Sequence, residues 1–231
     1  MHFVLVHGAY HGAWCWDALR QELEAAGNQT TAMDLPNEDP EAGAGRYAEV
    51  VLSAMPRDAS NVVVVGHSLG GLTIPLVAAT AMPLGIVFVC GLVPVPGKSF
   101  DDQHNDLDSG FTSSRPPVGH PDGSASWPEE GAMETFFQDC SPEVARAAAR
   151  RLTRQHWQAT HEVTPLRSWG AVPAAYILCT DDRALPVAYC RHAARDLLGI
   201  EPIELPGGHS PFLSRPRLLA EVLGNIYVAQ Q

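Results

Sequence analysis

Short apolar runs recur along the whole chain, and within them apolar and polar residues do not alternate. Such runs are typical of strands that are covered on both faces in a parallel sheet, and most of these runs are rich in Val or Ile. The pattern predicts six strands, at 3–7, 30–34, 61–67, 85–93, 174–180 and 200–205.

Helical stretches lie between these runs. The predicted helices span 15–26, 43–56, 69–82, 186–198 and 211–228. Gly27 follows the first helix at the position of a C-terminal cap, and Ser210 with Pro211 begins the last one. Strands that alternate with helices imply right-handed crossovers, so the predicted fold is α/β with a doubly wound, mostly parallel sheet.

One long region breaks this alternation, because no strand is predicted between Pro94 and about Ala171. Residues 98–130 are rich in Ser, Asp, Gly and Pro and are predicted to be loop, with a disordered surface loop as the alternative. Residues 142–160 predict a helix with Ser141 as its N-cap.

This excursion divides the predicted chain into two parts. A long excursion from a compact α/β domain usually has a function, often as a lid. We therefore expect an α/β core formed by 1–94 and 171–231, and an inserted, partly helical cap formed by 95–170. Such a cap would supply the walls of a substrate pocket.

The sequence GHSLG at 66–70 follows a predicted strand and precedes a predicted helix, and it matches G-x-S-x-G. In that context the motif is typical of a nucleophilic serine on a strained turn, where flanking glycines avoid clashes. Ser68 would then lie above the carboxyl edge of the sheet, where ligands bind in open α/β folds. The alternative is an ordinary glycine-rich turn.

A serine nucleophile needs a base and an acid, and in this fold the acid precedes the His along the chain. His209 stands in a loop after the last predicted strand. Asp181 and Asp182 both follow the preceding strand, and these residues alone leave the choice between them open. A buried carboxylate here would fix the imidazole tautomer and stabilise its cation.

Two backbone N–H groups are needed to stabilise the negative oxygen of the reaction intermediate. We expect one at Leu69, directly after the serine, and one at Ala9, in the loop after the first strand. Gly8 would let that loop approach the site. His7 and His67 are expected to be framework residues that hydrogen-bond to nearby backbone.

Four segments together resemble the α/β-hydrolase superfamily, and more narrowly its branch of small plant methylesterases and hydroxynitrile lyases with their bacterial esterase relatives. They span nearly the whole chain, although the expected cap matches poorly. The segments are LVHGAYHGAW at 5–14, GHSLGG at 66–71, YILCTDDRALP at 176–186 and GGHSPFLSRP at 207–216.

The resemblance implies Asp182 as the acid, because the family pattern places the acid four residues before a proline, here Pro186. It implies the same two oxyanion donors as above. The lyase members carry a lysine just after the His-containing turn and a threonine in place of the first glycine, where this chain has Ser210 and Gly8. These differences argue against lyase activity, since cyanide release requires the cation.

These residues predict a serine hydrolase that cleaves a small or medium apolar carboxylic ester through an acyl-enzyme intermediate. Ser68 would attack, His209 would act as base and then as acid, and Asp182 would orient His209. The alternatives are lactone opening, acyl transfer or a cofactor-free rearrangement on the same site, or ligand binding without turnover. Candidate pocket residues are Tyr10, Trp127, Phe136, Phe137 and Trp157, although residues of these types are more often plain core.

Charge and hydropathy argue against nucleic acids and membranes as partners, which leaves the small-molecule substrate that the motifs predict. The 231 residues carry a net charge of −11, which argues against a nucleic-acid surface. No apolar stretch is long enough to span a membrane, and the N-terminal MHFVLVHGAY predicts a strand rather than a signal peptide. Five scattered cysteines without CxxC spacing favour a reducing, cytoplasmic compartment.

No metal or cofactor is expected from the motifs. The ten histidines include no HExxH pattern, and His156 and His161 are five residues apart, so they would not share a helix face well. No glycine-rich dinucleotide or phosphate-binding signature occurs.

Overall fold

A sheet of parallel strands forms the centre of the protein. The computed structural model describes residues 1–103 and 114–226. The strands in that part of the chain are β1 (His2–Val6), β2 (Gln29–Ala32), β3 (Val62–His67), β4 (Gly85–Val89), β5 (Val118–Gly119), β6 (Ala125–Ser126), β7 (Ala174–Cys179) and β8 (Ile203–Leu205). Six of them pair in parallel in the order β2-β1-β3-β4-β7-β8. The predicted fold class and its six strands are confirmed.

The apolar runs are continuous because helices cover both faces of this sheet. Successive residues of a strand point to opposite faces. Val62 and Val64 of β3 belong to the apolar cluster on one face, whereas Val63 and Val65 belong to the cluster on the other. All four valines are buried, so the strand has no polar face.

Each predicted helical stretch contains at least one helix that is shorter than the stretch, and two helices, α4 and α5, lie where none was predicted. They are α1 (Asp17–Ala25), α2 (Ala44–Ala54), α3 (Ile74–Ala81), α4 (Phe100–Gln103), α5 (Glu129–Thr135), α6 (Pro142–Ala149), α7 (Gln158–His161), α8 (Val187–His192), α9 (Pro211–Ser214) and α10 (Pro216–Ile226). Helices α2, α3 and α8 pack on one face, and α1 and α10 pack on the other. Within the described ranges, no helix has the length and apolar character that a membrane crossing requires.

The segment between β4 and β7 carries the small elements of the fold. Strands β5 and β6 pair antiparallel, and helices α5 and α6 contribute to a third apolar cluster that also contains Tyr10 from the loop after β1. Phe136 and Trp157 of this segment border the same cavity as Ser68. The segment therefore lies over the carboxyl edge of the sheet.

The predicted helix 211–228 is wrong as a single helix, because it is divided into α9 and α10. Pro216 disfavours the helical conformation at the preceding residue, and Arg215 accordingly has φ −143° and ψ 51°. The last two residues of the predicted helix lie outside the described residues.

The predicted helix 142–160 is wrong beyond its first half. Helix α6 ends at Ala149, and α7 begins only at Gln158. Between them the chain makes tertiary contacts instead, since Gln155 exchanges backbone hydrogen bonds of 2.9 and 3.0 Å with Ala125 of β6. The predicted N-cap is present, because the Ser141 hydroxyl accepts the N–H of Val144 at 3.3 Å.

The prediction that residues 98–130 form only loop is wrong, because this segment contains short strands and helices that the sequence pattern did not indicate. Strands β5 and β6 lie within it, together with α4 and the beginning of α5. Each strand has only two residues and neither is buried, so an apolar run could not reveal them. Residues 104–113 of the predicted loop lie outside the described residues.

Candidate active site

Ser68 lies on a strained turn directly after β3. Its φ of 49° is in the left-handed region, which costs a non-glycine residue about 1–3 kcal/mol. A Cβ on Gly66 would lie 2.7 Å from Cγ2 of Ile74, and a Cβ on Gly70 would lie 2.7 Å from the carbonyl oxygen of His7. The two motif glycines are therefore required by close contacts on both sides of the turn.

The loop after β1 closes against this turn. A Cβ on Gly8 would lie 2.8 Å from Cβ of Ser68 and 2.9 Å from Nδ1 of His67. Gly8 and Gly70 thus allow the loop and the turn to interlock, since each glycine faces an atom of the other segment. This contact brings Ala9 to the cavity that Ser68 borders.

His209 forms a short, buried hydrogen bond with Asp182. Its Nδ1 lies 2.7 Å from Oδ2 of Asp182, and the two side chains are 2% and 0% exposed. The other oxygen, Oδ1, accepts the backbone N–H groups of Ala184 at 2.8 Å and Leu185 at 2.9 Å. These bonds keep the carboxylate in one orientation. Because Asp182 binds Nδ1 of His209, Nε2 of the imidazole stays free to accept a proton.

Asp181, the other candidate acid, makes different contacts. Its Oδ2 accepts the backbone N–H of Gly207 at 3.2 Å and the hydroxyl of Thr180 at 3.1 Å. Its own N–H donates to the carbonyl of Gly207 at 2.9 Å. Of the two aspartates, the structure thus brings Asp182 to His209 and leaves Asp181 holding the neighbouring loop.

Ser68 and His209 both border one cavity of about 330 Å³. Among the described residues, no hydrogen bond joins the Ser68 hydroxyl to the imidazole. Catalytic hydrogen bonds are often long before a substrate binds and tighten only in its complex, so this geometry is compatible with a nucleophile and its base.

The two expected oxyanion donors also border this cavity. Ala9 and Leu69 are both among its lining residues. In the described part of the chain, no acceptor takes the N–H of Ala9, which leaves this donor available for a ligand. The 3₁₀ turn Ser68–Leu72 places Leu69 directly after the serine.

His7 supports the loop that carries Ala9. Its Nδ1 donates to the carbonyl of Gly8 at 2.8 Å, and its Nε2 accepts the N–H of Leu35 at 2.9 Å. These partners assign the tautomer with a proton on Nδ1. Burial lowers the pKa of His7 to about 4, so this imidazole is neutral near pH 7.

Two further neutral histidines surround His209. His11 donates from Nδ1 to the carbonyl of Ala9 at 2.8 Å, and burial lowers its pKa to about 3. His67 donates from Nε2 to the carbonyl of His209 at 2.9 Å, and burial, with the nearby His209, lowers its pKa well below the usual value. These contacts agree with the framework role expected for His7 and His67.

Apolar side chains form most of the cavity wall. Tyr10, Phe136 and Trp157 line it, whereas Trp127 and Phe137 pack behind this wall, against Phe136 at 4.9 and 6.0 Å between ring centroids. The cavity is also lined by residues that the sequence does not mark as pocket residues, including Leu92, Phe100, Thr160, His161 and Leu185. Leu92 was expected to be a core residue because the predicted strand 85–93 included it, whereas β4 ends at Val89 and Leu92 lies in the loop that follows.

A contact between a carboxylate and an imidazole lies at the exposed side of the cavity. Asp101 of α4 and His161 of α7 lie in direct contact through Oδ2 and Nδ1, and both side chains are exposed. They are the titratable groups that face the cavity from the inserted segment in the described residues. The rest of that segment's contribution to the wall is apolar or neutral.

Among the residues that the structure describes, one group of three potential metal ligands includes Asp182 and His209. Ligand atoms of Cys90, Asp182 and His209 lie within 4.8 Å of one another. A hydrogen bond with Cys179 and burial raise the pKa of the Cys90 thiol well above its usual value. A neutral thiol is a poor metal ligand, and Asp182 and His209 already bind each other, so these residues do not fit a metal centre well.

Comparison with known proteins assigns the chain to a family. The family model described as "Alpha/beta hydrolase family" matches residues 3–222. The chain belongs to the alpha/beta hydrolase family. Norfluorocurarine synthase 2 of a Strychnos species is 31% identical over 256 aligned residues, which cover 97% of this chain and 94% of that protein.

Two other relatives of this alpha/beta hydrolase agree with the branch that its motifs predicted. Methylesterase 3 of Arabidopsis thaliana is 30% identical, with 96% of this chain and 94% of that protein covered. The crystal structure of polyneuridine aldehyde esterase, a protein known from Rauvolfia serpentina, superimposes on this chain with a TM-score of 0.80 at 28% identity. The alignment covers 97% of this chain and 98% of the esterase. The predicted relationship to the plant methylesterase branch is confirmed.

Proposed function

We propose that this alpha/beta hydrolase is a carboxylic-ester hydrolase that uses Ser68 as nucleophile, His209 as base and Asp182 as acid. The observation that carries the proposal is the 2.7 Å hydrogen bond between the His209 and Asp182 side chains, which are 2% and 0% exposed, beside a cavity that Ser68 also borders. The relatives named methylesterase and polyneuridine aldehyde esterase support ester cleavage as the reaction.

The first half of the reaction acylates the serine. Nε2 of His209 takes the proton of the Ser68 hydroxyl while Oγ forms a bond to the carbonyl carbon of the ester. The carbonyl oxygen becomes negative and is stabilised by the N–H groups of Ala9 and Leu69. The intermediate collapses when the C–O bond to the alcohol breaks, and the alkoxide leaves with the proton held by His209.

The second half releases the acid and regenerates the enzyme. A water molecule gives its proton to His209 and attacks the acyl carbon, again through a negative oxygen held by Ala9 and Leu69. The bond between Oγ of Ser68 and the carbon then breaks, and His209 returns the proton to Oγ. Asp182 stabilises the imidazolium in both halves, and water is the only second substrate.

The proposed substrate is a small or medium apolar ester. The cavity holds about 330 Å³, which is at the lower end for ligand sites, and aromatic and aliphatic side chains dominate its wall. Tyr10, Phe136 and Trp157 would contact the apolar part of the substrate. Cleavage of such a substrate requires no cofactor, because the residues already named supply the nucleophile, the base and the oxyanion donors.

The proposal extends to the organisation and the compartment of the protein. We assign the α/β core to 1–94 and 171–231 and the cap to 95–170, because the cap residues Phe136 and Trp157 border the cavity of the core residue Ser68. All five cysteines are unpaired, which supports a cytoplasmic location.

A serine-directed phosphonate tests the proposal. The wild-type protein should bind one equivalent, and peptide mapping should find the label on Ser68, whereas Ser68→Ala should remain unlabelled. A panel of esters with varied acyl and alcohol groups should then give turnover with an initial burst. Labelling of another residue, or turnover by Ser68→Ala at the wild-type rate, would overturn the assignment.

A further inference from the structure

The loop that carries His209 is held by an acidic residue from the inserted segment. The backbone N–H of Gly208 donates to Oδ2 of Asp139 at 3.0 Å, and Nη1 of Arg215 contacts the same oxygen. Asp139 lies four residues after α5, and its side chain is only 15% exposed. One carboxylate oxygen therefore binds the residue before His209 and a cation that follows α9.

The neighbouring residue of the inserted segment holds the loop that carries Asp182. Nε2 of Gln138 donates to the carbonyl of Asp181 at 2.8 Å. Asp181 in turn exchanges hydrogen bonds with Gly207, from its N–H at 2.9 Å and to its carboxylate at 3.2 Å. Gln138 and Asp139 thus contact the two loops that bring the acid and the base together.

The glycines before His209 show how closely these segments pack. Gly207 has φ 117°, and a Cβ there would lie 2.5 Å from Oδ2 of Asp139 and 2.4 Å from Nη1 of Arg215. A Cβ on Gly208 would lie 2.2 Å from Nε2 of Gln138. The absence of side chains at both positions is what allows the carboxylate to reach the backbone of this loop.

We propose that Asp139, supported by Arg215, is a positioning residue that sets the alignment of His209 with Asp182 and Ser68. Asp139 does not border the cavity, so it contacts neither substrate nor reacting atoms. Without its carboxylate, the Gly208 N–H and the Arg215 guanidinium would lose their shared acceptor, and the loop would relax. A misplacement of about 1 Å at a catalytic group can lower the rate by about 10²-fold.

The inference rests on the proposed function and is tested first by kinetics. In Asp139→Ala we expect kcat to fall by about 10- to 100-fold, while KM stays within about two-fold, because the cavity wall is unchanged. Asp139→Asn should recover most of the loss, since its amide oxygen still accepts the Gly208 N–H. Arg215→Ala should give an intermediate loss, because it removes the cation but retains the bond between Asp139 and Gly208. This variant provides the test if Asp139→Ala fails to fold.

A matched control comes from an ion pair of similar type far from the site. Arg195 and Glu201 lie 2.9 Å apart with both side chains exposed, and neither borders the cavity. Arg195→Ala should leave kcat and KM unchanged. An equal loss in Arg195→Ala and Asp139→Ala would mean a general effect on stability and would overturn the positioning role.

A spectroscopic measurement separates this inference from the proposed function. The proton between Nδ1 of His209 and Asp182 should give a low-field NMR resonance, which Asp139→Ala should shift or broaden and Asp139→Asn should restore. That response without any esterase activity would retain the positioning role and reject the proposed function. An active wild-type enzyme whose kcat and low-field resonance are unchanged in Asp139→Ala would reject the positioning role.

Discussion

Asp182 contacts His209 through one carboxylate oxygen and the backbone of its own loop through the other. The bond between Oδ2 and Nδ1 measures 2.7 Å, and the bonds from Oδ1 to the N–H groups of Ala184 and Leu185 measure 2.8 and 2.9 Å. The carboxylate cannot rotate without losing all three bonds. The imidazole is thereby held with its proton on Nδ1, which leaves Nε2 able to accept one.

Asp182→Asn should lower kcat by about 10⁴-fold with little change in structure, because an amide facing Nδ1 favours the wrong imidazole tautomer. Asp181→Asn is the matched control, since its amide oxygen can still accept the Gly207 N–H. The control should change kcat by less than about two-fold. Comparable losses in both variants, measured with one ester under saturating conditions, would contradict the assignment of the acid.

Gly8→Ala should lower kcat by about 10²-fold, because the new Cβ would displace the loop that presents the Ala9 N–H. That Cβ would lie 2.8 Å from Cβ of Ser68. Gly45→Ala is the control, because its Cβ would meet only Cγ of Pro165, at 3.5 Å. The steady-state rates of both variants check this, and a fully active Gly8→Ala enzyme would exclude the proposed oxyanion donor.

Trp157→Ala should enlarge the cavity and raise the ratio of kcat/KM for a bulky acyl group to that for acetate by about 10-fold. Trp157 lines the cavity and packs edge-on against Tyr10, with 5.6 Å between ring centroids. Trp169 packs against Phe88 away from the cavity, so Trp169→Ala should leave the ratio unchanged. An unaltered ratio in Trp157→Ala would mean that this side chain does not contact the substrate.

Protein stability should decrease as the pH falls from about 6.5 towards 3. Burial lowers the pKa of His7 to about 4 and that of His11 to about 3, whereas an unfolded chain binds these protons near pH 6.5. Each group would remove on the order of 3 kcal/mol across this window, and the loss is complete below the folded pKa. Above pH 7 neither group contributes a slope.

The variant His11→Asn should isolate this effect. Its amide nitrogen can replace the donor to the Ala9 carbonyl, which His11 binds at 2.8 Å, but it does not titrate. Urea unfolding at several pH values should therefore give a smaller loss of stability between pH 6.5 and 3 in the variant. Parallel pH profiles in both proteins would show that His11 is not a buried neutral imidazole.

The sheet could be predicted from the sequence because burial on both faces requires an uninterrupted run of apolar residues, as in β3 and β4. The sequence also predicts that Ser68 and His209 lie near each other, since their loops follow strands whose carboxyl ends meet at one edge, and both residues border one cavity. From the residues alone the choice of acid is open, because Asp181 and Asp182 occupy the same loop and only side-chain direction distinguishes them. The family resemblance favours Asp182, which is the aspartate that contacts His209.

The inserted segment was harder to predict because its structure depends on contacts between distant residues. Gln155 leaves the helical pattern of its neighbours to pair with Ala125, thirty positions earlier, which local propensity cannot anticipate. Asp139 was overlooked for the same reason: its partners, Gly208 and Arg215, are about seventy positions away along the chain. Neither residue carries a recognisable local motif.

The interlocking of Gly8 with Ser68 and of Gly70 with His7 has a practical consequence for engineering new substrate ranges. These two segments cannot easily be varied one at a time, because a Cβ on Gly8 would lie 2.8 Å from Cβ of Ser68 and a Cβ on Gly70 would lie 2.7 Å from the carbonyl oxygen of His7, so that either substitution would displace the other segment. A combinatorial library should therefore keep both glycines and place its diversity in the aromatic wall, where neighbours can repack.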